Sequence, residues 1–140
     1  MTDGRVVPLR GRVADSEKVT INLGYVDLGR IDLLVQEGFF SNRTDFIRTA
    51  IRNELVRQAG DVTRAIDRHM LEVGLLELDA ARLEAARAAG EVLHVRVVGL
   101  VRIAADVTPE LARATIGSIN ALGALQASAA IRSALADRIG

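Results

Sequence analysis

Polar and apolar residues alternate strictly from Lys18 to Leu23. Lys18, Thr20 and Asn22 fall on one side, Val19, Ile21 and Leu23 on the other. A period of two predicts a half-buried strand, and Gly24 ends it. Beyond Asp27 the period changes. Leu28, Ile31, Leu34 and Val35 recur at three- and four-residue spacing, which predicts a helix over 27–37. Asp27 is placed to cap its start, and Gly38 stands where a left-handed C-terminal residue is wanted. Ser41 is placed to cap a second helix, with Asp45 favoured in the first turns by the dipole. Phe46, Ile47, Ala50, Ile51 and Leu55 form the apolar stripe of that helix, which ends near 58–60. Residues 1–17 hold Gly4, Pro8 and Gly11 without a period, the pattern of a flexible basic arm. Residues 59–69 read as a linker.

A lone strand has two unpaired edges, and the segment 18–58 contains no partner for it. The simplest partner is a second copy of the chain. Antiparallel pairing of 18–23 about a two-fold axis would bury Val19, Ile21 and Leu23 against both helix pairs. Lys18, Thr20 and Asn22 would then stand, twice over, on one open ribbon face.

The segment from Lys18 to Gln58 resembles a ribbon–helix–helix domain of the CopG/MetJ/Arc type. The resemblance rests on the alternating strand, the Gly38-Phe39-Phe40-Ser41-Asn42-Arg43-Thr44 junction and the Phe46-Ile47-Arg48-Thr49-Ala50-Ile51-Arg52 helix. It implies an intertwined homodimer whose two-stranded ribbon enters the major groove of double-stranded DNA. The outward strand positions, here Lys18, Thr20 and Asn22, would contact bases. Lys can donate to guanine, Asn can pair with adenine, and Thr can bond to a base or touch a thymine methyl. The start of the second helix, here Ser41, Asn42 and Arg43, would hold phosphate through free backbone N–H groups and side chains. Val19, Ile21, Leu23, Phe46, Ile47 and Ile51 would make the dimer core. Gly24-Tyr25 departs from the family pattern, where a polar turn without an aromatic is more usual. Arg5, Arg10 and Arg12 could add phosphate or minor-groove contacts, or belong to a solvated tail.

Residues 70–140 carry a second regularity. Gly74, Gly99 and Gly123 are spaced by 25 and 24 residues, each inside a short apolar run. A helix signal follows each run: Asp79, then Thr108-Pro109-Glu110, then Ser128. The pattern predicts a small α/β domain of three β-α units of about 25 residues, with parallel strands and right-handed crossovers. The glycines would permit close backbone approach or a bend. In the third run Ile116, Ile119, Leu122 and Leu125 recur every three residues, so a helix packed through its small face competes with a strand there. The fold class is therefore α+β: an N-terminal ribbon–helix–helix and an α/β domain that serves assembly or senses an effector.

Composition narrows the function. With 140 residues, 18 basic and 18 acidic, the formal charge is zero and no basic excess points to nucleic acid. Position carries the information instead: four Arg against two acids lie between Ser41 and Gln58, and the only Lys is Lys18. The absence of Cys excludes disulfides and thiolate metal sites. His69 and His94 make half a metal site at most, so no metal and no cofactor are expected. No nucleophile–base pair or phosphate loop is present, and an enzyme is not expected. No signal peptide or membrane span is visible, which predicts a cytoplasmic protein. The expected function is a sequence-specific DNA-binding transcriptional regulator, a repressor acting as a homodimer. The alternatives are an antitoxin and a DNA-associated partition or polymerising protein, with residues 70–140 meeting a protein partner, an effector or another dimer.

Overall fold

The computed structural model describes residues 16–140. The chain divides into two compact units, one spanning Glu17–Asp67 and the other containing Arg68–Gly140. Apart from Ser16 and Glu17, the arm expected over 1–17, with Arg5, Arg10 and Arg12, lies outside the described residues.

In the first unit, residues 17–24 run without a ladder partner, and helix α1 (Tyr25–Gln36) follows. The strand expected over 18–23 is thus not formed within one chain, because no other segment of the unit supplies a complementary edge. Helix α1 starts two residues before Asp27. Gly24 occupies its N-cap position with no side-chain cap, and Asp27 lies in the first turn. The helix closes at Gly38, whose φ of +86° is the left-handed conformation glycine adopts without a Cβ penalty. Helix α2 (Arg43–Arg57) is capped by Asn42 rather than by Ser41, since the Asn42 side chain accepts from the Asp45 amide. The expected linker 59–69 is a helix, α3 (Ala59–His69). Gly60 falls in its first turn, where a helix breaker costs least because those amides lack internal partners. Asp61 near the start and Arg68 and His69 near the end suit the dipole.

The second unit is a three-stranded parallel sheet of order β1-β2-β3, with β1 Glu72–Leu78, β2 Leu93–Ile103 and β3 Ile116–Gln126. Helices α4 (Ala80–Ala88), α5 (Pro109–Thr115) and α6 (Ala129–Ala134) follow the three strands in turn. Asp79, Thr108 and Ser128 cap them by accepting from Arg82, Leu111 and Ile131 amides respectively. Helices and sheet enclose one core around Leu78, Leu83, Val97, Val101, Ile116, Ile119 and Leu135, each almost wholly buried. The third apolar run, ambiguous by periodicity, is a strand. Its three-residue recurrence is broken by a register shift near Ile116–Ser118, which returns Ile119, Ala121 and Leu125 to the core side.

Gly74, Gly99 and Gly123 stand opposite one another across the sheet. All three have positive φ, 134°, 142° and 127°. A Cβ on Gly99 would lie 2.0 Å from the Gly74 carbonyl oxygen, and one on Gly123 would lie 2.2 Å from the Gly99 oxygen. Only glycine fits either position. Helix α6 stops at Ala134, and the last residues return to the outer edge of β3. There the Ile119 amide donates to the Arg138 carbonyl at 2.8 Å and the Gly140 amide donates to the Ile119 carbonyl at 2.8 Å. Farther along that edge, the Arg132 guanidinium donates to the Leu125 carbonyl. Edge groups occupied in this way are closed to strand addition.

Candidate nucleic-acid interface

The apolar side of the extended segment opens on a groove of about 450 Å³. Ile21 and Leu23 form one wall, Ile31 and Leu34 of α1 another, and Phe46, Ile47, Ala50 and Ile51 of α2 the floor. Phe40 and Phe46 meet edge to face, 5.0 Å between centroids, and brace the turn between the helices. Within the single chain this apolar set has almost no core. Ile31 is the only buried residue of α1, and α2 has none. Val19 is 77% exposed, Ile21 60% and Ile51 54%; Leu23 is exposed too, and Phe46 and Ile47 are half-buried. A helix pair with this much apolar surface in water requires cover. Lys18, Thr20 and Asn22 alternate with the groove residues and are exposed.

The start of α2 is tied by two reciprocal bonds. The Asp45 amide donates to Asn42 Oδ1 at 2.8 Å, and the Ser41 amide donates to Asp45 Oδ2 at 2.9 Å. This is a relative of the capping box, in which Asp45 reaches back to the amide one residue before the cap. The Asn42-x-x-Asp45 spacing is its sequence signal and places the cap one residue after Ser41. The box engages the Ser41 and Asp45 amides and leaves the first-turn amides of Arg43 and Thr44 outside it.

Arg43 does not extend freely from the helix. Its Nε and Nη2 donate to the two oxygens of Asp32, each at 2.8 Å, in a bidentate fork that links α2 to α1. The two residues are 11 apart, and no local pattern marks the pairing. Any anion at this helix start would share the Arg43 guanidinium with Asp32. The hydrogen bonds from Arg43, and then its charge, hold the Asp32 carboxyl below the usual carboxylate range. A depressed folded-state pKa adds stability that is present above the unfolded value, about 4, and lost as pH falls through the folded value. Asp32→Asn should therefore reduce the thermal midpoint of the first unit modestly at neutral pH. The difference from the parent should close as pH falls below about 4. A difference that stays constant down to pH 2 would remove the ion pair from the account.

Among the described residues no group of three or more His, Cys, Asp or Glu could hold a metal ion. The His94 ring bonds through Nδ1 to Ser118 Oγ at 2.9 Å, while His69 contributes its backbone carbonyl to Arg96. No helix among the described residues is long and apolar enough to cross a membrane.

The first unit thus sets an extended segment of alternating polar and apolar residues before two helices that share an open apolar groove. The chain belongs to the ribbon–helix–helix transcriptional regulator family, whose family model matches residues 14–132. The protein is accordingly a DNA-binding transcriptional regulator. The match runs past the helix pair and through α3, β1, α4, β2, α5 and β3. No curated protein and no solved structure matches the chain.

Proposed function

We propose that the protein is a homodimeric repressor that reads operator DNA with a two-stranded antiparallel ribbon in the major groove. Each copy contributes residues 18–23. The observation that carries this reading is the pairing of opposites on one short segment: Ile21 and Leu23 line the open groove while Lys18, Thr20 and Asn22 are exposed and take no part in its lining. A second copy fills the groove, supplies the missing strand edge and doubles the polar side. Val19, Ile21, Leu23, Phe46, Ile47 and Ile51 then form the shared core.

Lys18, Thr20 and Asn22 contact bases, and the Ser41-Asn42-Arg43 junction holds a phosphate. The free first-turn amides support the phosphate role, and the Asp45 carboxylate limits its strength. With a neutral chain and few phosphate contacts, nonspecific binding is weak and its salt dependence shallow. The protein acts by binding rather than by catalysis. The Arg68–Gly140 unit serves assembly or effector sensing. The covered outer edge of β3 favours this over a partition protein that polymerises by adding strands at that edge.

Fluorescence anisotropy on the DNA flanking its own gene, with scrambled DNA as reference, tests the reading. Thr20→Ala with Asn22→Ala should cut the preference for operator over scrambled DNA, with about 1–3 kcal/mol lost per base contact. The dimer should persist. Unchanged affinity and preference in that variant would overturn the ribbon readout.

A further inference from the structure

Strand β2 outruns its neighbour on one side. It spans Leu93–Ile103, but β1 meets it only from Glu72, opposite Val97. Residues 93–96 pair with β3 and have no ladder partner on the β1 side among the described residues. Met70, at a left-handed φ of +52°, turns the chain just ahead of β1. The notch at the start of β1 is a cavity of about 190 Å³. The stretch from Leu93 to Val97 lines it, with Glu72, Leu76 and Leu78 of β1 and Arg82 of α4. Strand N–H and C=O groups in such a place need partners, which a bound molecule or water must supply.

The lining divides by chemistry. Leu76, Leu78 and Leu93 belong to the core or pack against it and give the cavity an apolar side. Arg82, His94 and Arg96 bring basic side chains against one carboxylate, Glu72. Two of the basic groups are held in place. Arg96 Nη1 donates to the His69 carbonyl at 3.2 Å, and the His94 ring bonds through Nδ1 to Ser118 Oγ at 2.9 Å, which leaves Nε2 outside that bond. A guanidinium fixed at one nitrogen keeps further N–H donors for an anion. The volume equals that of about six waters at ~30 Å³ each. An inorganic anion of that size would satisfy the basic groups and leave the leucines wet, whereas a small acid with an alkyl chain satisfies both. We propose that this cavity binds a short-chain monocarboxylate. Its carboxylate bonds to Arg96 and to the unpaired β2 backbone, and its chain lies against Leu76, Leu78 and Leu93. This names the class of effector for the Arg68–Gly140 unit and rests on the effector-sensing reading above.

Magnetic resonance titration of the full-length protein with butyrate, butyramide and inorganic phosphate tests the site. Butyrate should shift the amide signals of residues 93–97 saturably. Butyramide, with the same chain and no charge, should bind at least about tenfold more weakly, the loss of one charge-assisted hydrogen bond. Arg96→Met, which removes the guanidinium from an exposed strand position, should weaken butyrate by a similar factor. The butyramide comparison uses the parent chain and stands whether or not that variant folds. The site is overturned if butyrate does not saturate, if butyramide or phosphate binds as tightly as butyrate, or if a folded Arg96→Met protein keeps the parent affinity. Anisotropy on operator DNA with and without butyrate separates the two levels. Saturable, Arg96-dependent binding that leaves operator affinity unchanged would uphold the cavity assignment and remove effector sensing from the unit.

Discussion

Alanine at Gly99 should remove most of the stability of the Arg68–Gly140 unit. The added methyl would sit 2.0 Å from the Gly74 carbonyl oxygen, an atom of the adjacent strand rather than the tip of a flexible side chain. Relief would require separating β1 from β2 at the centre of the sheet. The φ of +142° adds a second penalty that no side chain escapes. Strain of this kind costs about 1–3 kcal/mol, and overpacking a filled site about 1–3 kcal/mol more. A unit of roughly 70 residues is stable by only about 4–10 kcal/mol. Gly90→Ala supplies the control. Its φ of +70° carries the left-handed penalty, but nothing lies within 4 Å of the added carbon, so it should cost only about 1 kcal/mol. Urea unfolding of the two variants, followed by circular dichroism, separates the contributions. Equal losses would mean that the stacked glycines are conformational conveniences and not a steric requirement.

That glycine column also shows what the sequence makes legible. The spacing of Gly74, Gly99 and Gly123, 25 and 24 residues, survives translation into structure because strand register turns it into alignment. The contact it enforces is between backbones and does not depend on side-chain choice. Caps at Asp79, Thr108 and Ser128 are legible for a related reason: they depend on residues three apart. Other features depend on partners far away in sequence. The Arg43–Asp32 fork could not be foreseen from either residue, and it changes how free Arg43 is to meet an anion. Helix α3 was hidden by Gly60 and by the polar residues on its far side, although Val62, Ala65 and Ile66 carry helical spacing. The segment 18–23 is the opposite situation. Its alternation is plain, but its hydrogen bonds require an edge the single chain does not contain.

A charge placed in the groove should discriminate between a working monomer and a working dimer more sharply than any loss of a base contact. Ile51 is 54% exposed in the single chain. Were the monomer the functional form, Ile51→Asp would be a surface change, worth within about 0.5 kcal/mol. In the proposed dimer the same side chain is covered, and an unpaired buried carboxylate costs about 3–5 kcal/mol. Two-fold symmetry applies that cost twice, so dimer dissociation should shift by about four to seven decades at 1.4 kcal/mol per decade. At micromolar concentration the variant should sediment as a monomer and lose specific and nonspecific DNA binding together, because one copy cannot form a ribbon. Thr20→Ala with Asn22→Ala should do the reverse, keeping the dimer and losing sequence preference. Val56→Asp is the matched control: Val56 is 74% exposed and lies about 140° around the helix from Ile51, so it should leave both assembly and binding intact. A dimeric, DNA-binding Ile51→Asp protein would show that the groove is filled from elsewhere, and that Ile21 and Leu23 meet their cover without a second α2.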